Sequence, residues 1–116
     1  MPREPAAYIE ENLPVRAVPH LDHIRLHLAV PESGVWRLAG NGSPPYWAWM
    51  WPGGHALAQH VAAHPGLVKG RAVLDLGTGS GLIAIGAALA GAGRVIACDT
   101  DPTALVAASL NAGLTS

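Results

Sequence analysis

The sequence of 116 residues has little of what marks several classes of protein. It contains one cysteine, Cys98, which excludes an internal disulfide and is typical of a reducing compartment. Only 13% of the residues are charged and the formal net charge is −1, so there is no electrostatic basis for binding nucleic acid or an anionic membrane surface. The longest apolar run, residues 82–93, is shorter than the roughly 20 residues that a membrane-spanning helix needs.

The first five residues also lack the basic region and apolar core of a signal peptide. We therefore expect a cytoplasmic protein without a membrane or nucleic-acid partner. Half of the residues are hydrophobic, which excludes a disordered chain, and the length suffices for one domain with a modest core. Phenylalanine is absent, yet three of the four tryptophans crowd into Trp47, Trp49 and Trp51, beside a Pro-Gly-Gly turn.

The N-terminal half is predicted to hold short elements. Residues 6–12 predict a short helix. Residues 23–30 alternate polar and apolar side chains, which predicts a half-buried strand, and residues 35–38 are expected to form a second short strand after a turn at 31–34. Residues 41–45 are rich in Pro, Gly and Ser, which predicts a loop.

The middle of the chain is predicted to contain a helix followed by a buried strand. The helix spans residues 54–64, carries Leu57, Ala58 and Val61 on one face, and is stopped by a Pro-Gly pair. Residues 71–76 are almost continuously apolar, which is typical of a strand in a parallel sheet covered on both faces.

The C-terminal segment continues this alternation. Residues 82–89 predict a helix and residues 94–99 a second strand. Asp101 is expected to cap a last helix, with Pro102 at its first position and Gly113 at its end. Strand, helix, strand and helix in this order open an α/β parallel sheet.

Two parallel strands would leave an open sheet edge and uncovered faces. We therefore expect the sequence to be the N-terminal part of a larger protein. Residues 1–53 are interpreted as an N-terminal extension with short strands and a Trp-rich loop, and residues 54–116 as the start of a truncated ligand-binding domain.

The most informative segment is residues 73–81, V-L-D-L-G-T-G-S-G. Glycine lets the backbone approach a ligand closely, and the start of the following helix offers free N–H groups. The glycines are Gly77, Gly79 and Gly81, and Leu82 stands where the dinucleotide motif G-x-G-x-x-G needs its third glycine. The spacing therefore favours a ligand whose amino-acid end lies along the loop, and a turn without a ligand is the alternative.

An acidic residue, Asp99, closes the second strand. A carboxylate there can accept hydrogen bonds from both hydroxyls of a ribose, and Thr100 could line the adenine. The alternative for Asp99 is a solvated strand-end carboxylate, and capping accounts fully for Asp101.

Residues 73–81 resemble motif I of the class I S-adenosylmethionine-dependent methyltransferases, and residues 95–99 resemble the acidic motif that follows it. A wider match, over residues 19–112, resembles the lysine methyltransferases of the electron transfer flavoprotein β subunit, which are similar to the ribosomal protein L11 methyltransferases. Four segments carry it: Pro45-Tyr46-Trp47-Ala48, Trp51-Pro52-Gly53-Gly54-x-Ala56-Leu57, Gly70-x-x-Val73-Leu74-Asp75-Leu76-Gly77 and Asp99-x-Asp101-Pro102.

The resemblance implies an α/β, Rossmann-like class I methyltransferase fold, incomplete here: the first two parallel strands and their flanking helices, preceded by a small N-terminal α+β extension. It implies S-adenosyl-L-methionine as cofactor. The implied binding residues are Trp51, Asp75, Gly77, Thr78, Gly79, Gly81, Asp99 and Thr100, of which Gly77, Thr78 and Gly79 would meet the methionine part.

Some roles stay open after the resemblance. Trp51 either walls the cofactor or packs, and Trp47 and Trp49 are expected to pack or to line a substrate channel. The catalytic residues are unknown, since the family's later acidic or Asn-Pro-Pro-type motif would lie beyond residue 116. No metal is expected: His60 and His64 stand four apart, but a zinc-protease helix would need Glu after the first of them. Cys98 is expected to be an inert, buried thiol.

The function that the resemblance implies is a protein-lysine N-methyltransferase, present as its cofactor-binding portion, with the electron transfer flavoprotein β subunit or a ribosomal protein as the expected substrate. One alternative is another class I methyltransferase that acts on a ribosomal protein or a small molecule. The other is an inactive truncated fragment, and we expect weak or absent activity and poor solubility from the 116 residues alone.

Overall fold

The computed structural model describes residues 4–38 and 44–115 of the chain. Within them lie four helices and four strands: α1 (Pro5–Asn12), β1 (Val15–Val18), β2 (Leu21–His27), α2 (Pro52–Ala63), β3 (Ala72–Leu76), α3 (Leu82–Leu89), β4 (Arg94–Cys98) and α4 (Pro102–Thr115). Short 3-10 helices occupy Pro31–Ser33, Val35–Leu38, Tyr46–Ala48 and Pro65–Leu67. The α/β architecture expected from the sequence is confirmed.

The C-terminal part is a strand–helix–strand–helix unit, as predicted. β3 and β4 pair in parallel from Ala72 opposite Arg94 to Leu76 opposite Cys98, so both strands end at the same edge of the sheet. Asp101 caps α4 as expected, because its carboxylate accepts the N–H of Thr103 at 2.9 Å. Gly113 does not end α4, since glycine within a helix costs only about 1 kcal/mol relative to alanine.

The strand predicted at residues 35–38 is wrong. These residues form a 3-10 helix, and β2 pairs instead with β1, in antiparallel fashion. The physical reason lies in Gly34, which adopts a φ of 64° and whose carbonyl accepts the hydroxyl of Tyr8 at 3.0 Å. The Tyr8 hydroxyl also donates to the carbonyl of Ser33. These contacts hold the segment in turns, where a strand cannot form.

The boundaries of two other elements, β2 and α2, differ from those predicted from the sequence. β2 begins at Leu21 and ends at His27, earlier than residues 23–30. α2 begins at Pro52, with Ala58 and Val61 buried, but Leu57 is 47% exposed and does not share their face in the core. The predicted loop at 41–45 lies mostly outside the described residues, at 41–43.

The core joins the N-terminal segment to the last two helices. One cluster unites Ile9, Leu13 and Trp47 with Ala104 and Ala107 of α4. A second cluster unites the hairpin of β1 and β2 with α2 and α3, through Val18, Leu21, Ile24, Leu26, Ala58, Leu82 and Ile85. The N-terminal segment is therefore packed onto the helices that flank the glycine loop.

The apolar pattern of residues 71–76 suits a strand covered on both faces, but β3 is covered on one face only, as expected for two parallel strands alone. Val73 is half-buried and Asp75 buried on one face, whereas Leu74 is 58% and Leu76 is 74% exposed on the other. Ile96 of β4 is 44% exposed beside them. Among residues 4–38 and 44–115 no further strand pairs with β3 or β4, so apolar side chains suited to a buried sheet face solvent.

Candidate functional site: a cleft at the glycine loop

Three glycines in left-handed conformation shape the turn between β3 and α3. The φ angles are 71° at Gly77, 54° at Gly79 and 88° at Gly81. Residues with a Cβ rarely adopt such angles, so the alternating glycines are required by the path of the backbone. The turn carries the chain from the carboxyl end of β3 into the start of α3.

The inner side of this turn is braced by Asp75 and Thr78. Both are buried, and the hydroxyl of Thr78 donates to the carboxylate of Asp75 at 2.7 Å. The backbone N–H of Thr78 donates to the carbonyl of Cys98 at 2.8 Å, which ties the turn to the end of β4. Asp75 therefore supports the loop from within the sheet.

Asp99, which follows the neighbouring strand β4, holds the loop by hydrogen bonds. One carboxylate oxygen accepts the N–H of Gly79 at 2.9 Å, and the other accepts the N–H of Asp101 at 2.9 Å. A carboxylate offers about four lone-pair sites, so two backbone bonds leave capacity for further donors. Asp99 thus fixes the glycine turn, the end of β4 and the start of α4 relative to one another.

Gly81 makes a close helix–loop contact. A Cβ built on this residue would lie 3.0 Å from the Cβ and 3.2 Å from the Cα of Ala108 on α4. Such distances are tighter than nine in ten contacts of real Cβ atoms, so Gly81 is the position at which α4 packs closely on the loop. Its role in this structure is packing.

A cleft of about 520 Å³ opens beside the turn. Its walls come from the segment before α2, the glycine turn, the start of α3 and the end of β4. The lining residues are Pro44, Tyr46, Trp47, Trp49, Met50, Trp51, Gly54, Gly77, Thr78, Gly79, Ser80, Leu82, Ile83, Asp99, Thr100, Asp101 and Ala104.

Aromatic side chains form one wall of the cleft. Trp51 is 52% exposed, its indole N–H donates to the carbonyl of Tyr46 at 2.9 Å, and the two rings meet edge-on with centroids 5.9 Å apart. Trp47 is buried in the core, and Trp49 packs against Trp36 with centroids 6.3 Å apart. Trp47 therefore both packs and lines the cleft, and Trp51 is held at the first turn of α2.

The charge in the cleft has one sign. Among the lining residues only Asp99 and Asp101 are charged. The cleft therefore favours a cationic ligand, and its described lining residues offer no basic side chain to a phosphate group.

Six of the eight residues predicted from the sequence lie together in the cleft: Trp51, Gly77, Thr78, Gly79, Asp99 and Thr100. Asp75, near the end of β3, and Gly81, the last glycine of the turn, do not line the cleft. Sequence reasoning missed several lining residues, among them Tyr46, Ser80 and Ile83. Tyr46 belongs to the Pro-Tyr-Trp-Ala segment, which could have identified it, whereas Ser80 and Ile83 carry no signal of their own.

The histidines stay apart from this cleft. His60 on α2 and His64 at its C-cap meet in a tilted arrangement with ring centroids 4.4 Å apart. Within the described ranges no three metal-ligating side chains come together. Cys98 is half-buried and carries a free thiol. Within the described part of the chain, no helix is long and apolar enough to cross a membrane.

A parallel strand–helix–strand unit with a glycine turn and an acidic residue at the next strand end is typical of nucleotide-binding α/β folds. The comparison with known families specifies it further. Residues 59–116, half of the chain, match the family model described as ribosomal protein L11 methyltransferase (PrmA). The chain belongs to this methyltransferase family.

Proteins similar to the chain in sequence are also named as methyltransferases. The electron transfer flavoprotein beta subunit lysine methyltransferases of Mus musculus and Homo sapiens are each 42% identical to the chain over 112 residues, with 93% of this chain and 44% and 43% of those proteins covered. A ribosomal protein L11 methyltransferase of Syntrophotalea carbinolica is 51% identical over 57 residues, covering 49% of this chain and 18% of that protein.

A Pyrococcus horikoshii structure, provisionally named an RNA methyltransferase, aligns with a TM-score of 0.48 and 29% identity, covering 62% of this chain and 37% of that one. The family assignment rests on the sequence matches alone. The chain spans less than half the length of the curated lysine methyltransferases it matches.

Proposed function

We propose that the cleft binds S-adenosyl-L-methionine and forms the cofactor side of a protein-lysine N-methyltransferase. The observation that carries this proposal is the pairing of a left-handed glycine turn with Asp99 across one cleft, in a chain of a methyltransferase family. Trp51, Gly77, Thr78, Gly79, Asp99 and Thr100 would contact the cofactor. Asp75, which holds Thr78, and Gly81, which packs against α4, would shape the loop without lining the cleft.

The size and chemistry of the cleft fit this cofactor. Its volume of about 520 Å³ falls in the range of roughly 300–1,000 Å³ typical of small-molecule sites. Asp99 retains acceptor capacity for ribose hydroxyls. Leu82, Ile83 and the tryptophans offer the apolar surface that a purine ring needs.

The sign of the charge separates this cofactor from a dinucleotide. S-adenosylmethionine carries a positive sulfonium and an ammonium group, which the carboxylates of Asp99 and Asp101 attract. A pyrophosphate would meet these same carboxylates with no lysine or arginine to offset them.

When bound, the cofactor supplies a methyl group for an in-line displacement, so the residues of the chain mainly position the reactants. The glycine turn and Asp99 would hold the cofactor in a fixed orientation. The aromatic wall of Tyr46, Trp49 and Trp51 would exclude water from the acceptor side. A desolvated surface favours the neutral form of a lysine amine, which is the nucleophilic form.

A protein substrate is supported by the names of the relatives, which specify the electron transfer flavoprotein β subunit and ribosomal protein L11. A small-molecule acceptor is the competing proposal. Incubation with labelled cofactor and each purified protein would decide between acceptors. Because the chain spans less than half of its relatives, transfer is to be assayed separately from cofactor binding.

Calorimetry with S-adenosylmethionine and with NAD tests the binding proposal directly. We expect heat with S-adenosylmethionine, and binding of NAD alone would overturn the proposal. Asp99→Ala should weaken cofactor affinity at least tenfold, about 1.4 kcal/mol, because it removes both the ribose acceptor and the loop clasp. Asp22→Ala, which changes an exposed aspartate on β2, is the matched control and should leave affinity unchanged. Equal affinity of both variants would remove Asp99 from the site.

We further propose a cytoplasmic location, which cell fractionation with an antibody would test. The division at residue 53 also stays a proposal. Limited proteolysis would support it if the first stable cut fell within the first turn of α2, at residues 52–55.

A further inference from the structure

A buried amide connects the N-terminal hairpin to the glycine loop. Asn111 of α4 is fully buried. Its side-chain oxygen accepts the backbone N–H of His27 at 2.8 Å, and its side-chain N–H donates to the carbonyl of Ser80 at 2.8 Å. One side chain therefore joins β2, α4 and the turn beside the cleft.

Packing alone does not explain an amide at this position. Asparagine has poor helix propensity, and a buried amide is costly unless its donors and acceptors are paired. An apolar residue could fill the same space without these demands. The amide differs from an apolar residue because its hydrogen bond is directional and selects one orientation of the Ser80 peptide.

Ser80 lies between two other restraints on the turn. Gly79 is held by Asp99, and Gly81 rests on Ala108 of α4. The bond to Asn111 fixes the peptide between them, and Ser80 itself lines the cleft. The amide also ties this peptide to the hairpin, through the backbone of His27, which lies 84 residues before Asn111 in the sequence.

We propose that Asn111 is a positioning residue that sets the glycine turn for its ligand, so that the N-terminal hairpin contributes to affinity without touching the ligand. The identity of that ligand rests on the proposed function. The residue acts through Ser80 and is not itself in contact with the cofactor site.

The first test compares Asn111→Ala with Val68→Ala by calorimetry with S-adenosylmethionine. Val68 is buried in a separate cluster with Val61 and Ala87, none of which lines the cleft. Under conditions in which both variants are folded by circular dichroism, Asn111→Ala should bind about tenfold more weakly, and Val68→Ala should bind like the parent. Equal affinity of the two variants would overturn the proposal.

The second test uses Asn111→Asp and pH. An ionised carboxylate accepts the N–H of His27 but cannot donate to the carbonyl of Ser80, whereas the protonated acid can do both. The affinity of Asn111→Asp relative to the parent should therefore recover as the pH falls, while the ratio for Asn111→Ala stays flat. His27, Asp75 and Asp99 are the ionisable groups near this amide and are the same in all three proteins, so the ratio removes their contribution. A flat ratio for Asn111→Asp would contradict the role of the donated bond.

A third measurement needs no ligand. Amide hydrogen exchange at Gly79 and Gly81 should be at least tenfold faster in Asn111→Ala than in Val68→Ala, because the turn loses its anchor. If the parent chain binds no S-adenosylmethionine, the proposed function fails, yet this exchange experiment still tests Asn111. Equal exchange in the two variants would overturn the positioning role.

Discussion

Replacing Gly81 by alanine should destabilise the fold more than the same change at Gly77. The φ angle of Gly81 and its contact with α4 allow the loss in free energy of unfolding to be estimated. At Gly81 the φ of 88° costs about 1–2 kcal/mol for a residue with a Cβ. The new methyl would also stand 3.0 Å from the Cβ of Ala108, and such overpacking costs about 1–3 kcal/mol. The sum, about 2–5 kcal/mol, is a large share of the roughly 5–15 kcal/mol by which domains are stable.

Gly77→Ala is the matched control. Its φ of 71° carries the same backbone strain, but a Cβ there would meet nothing within 4 Å. Urea unfolding of both variants therefore isolates the contact with α4. If Gly81→Ala costs no more than Gly77→Ala, the close approach of α4 to the loop does not govern stability.

A double mutant sharpens this test. Ala108→Gly alone should cost about 1 kcal/mol of helix propensity. In the Gly81→Ala background it also removes the clashing Cβ, so its cost should shrink or change sign. Strict additivity of the two changes would refute the geometric explanation.

Two further outcomes are expected. Thr78→Val should lower the free energy of unfolding by about 1–3 kcal/mol, because the buried carboxylate of Asp75 loses a hydroxyl donor. Thr78→Ser keeps the hydroxyl and should retain most of the parent's stability. Equal losses of stability in the two variants, measured by urea denaturation, would contradict this role of Thr78. Because Leu76 is 74% exposed, Leu76→Gln should change the free energy of unfolding by no more than about 0.5 kcal/mol and should raise the solubility limit. Leu26→Gln, in the core, is the control and should unfold the chain. An unfolded Leu76→Gln would show that this face of the sheet is covered in solution.

The elements with long regular patterns were predictable from the sequence. α3 occupies residues 82–89 as expected, because an unbroken apolar segment after the glycine turn left no competing structure. Residues 35–38 were predicted wrongly because four residues carry too little periodicity to separate a strand from a 3-10 helix. The deciding contact, from the hydroxyl of Tyr8, comes from 26 residues away.

The site shows the same limit. Gly77 and Gly79 at the cleft could be read from their spacing, since the turn itself demands them. Spacing alone could not show that Gly81 has a different role from these two glycines, because the contact that constrains it comes from Ala108 on α4. Asn111 gave no signal at all, because nothing in one sequence marks which polar residue of a helix will be buried between two distant partners.

The place of Asn111 also has a consequence for the order of biosynthesis. The glycine turn emerges from the ribosome together with β3 and α3, but Asn111 follows 30 residues after Gly81 and pairs with a strand made 84 residues earlier. The chain up to the start of α4 can therefore collapse around the hairpin before the turn is fixed. A nascent chain that is released before α4 would carry all three glycines of the loop and still lack the shape of the cleft.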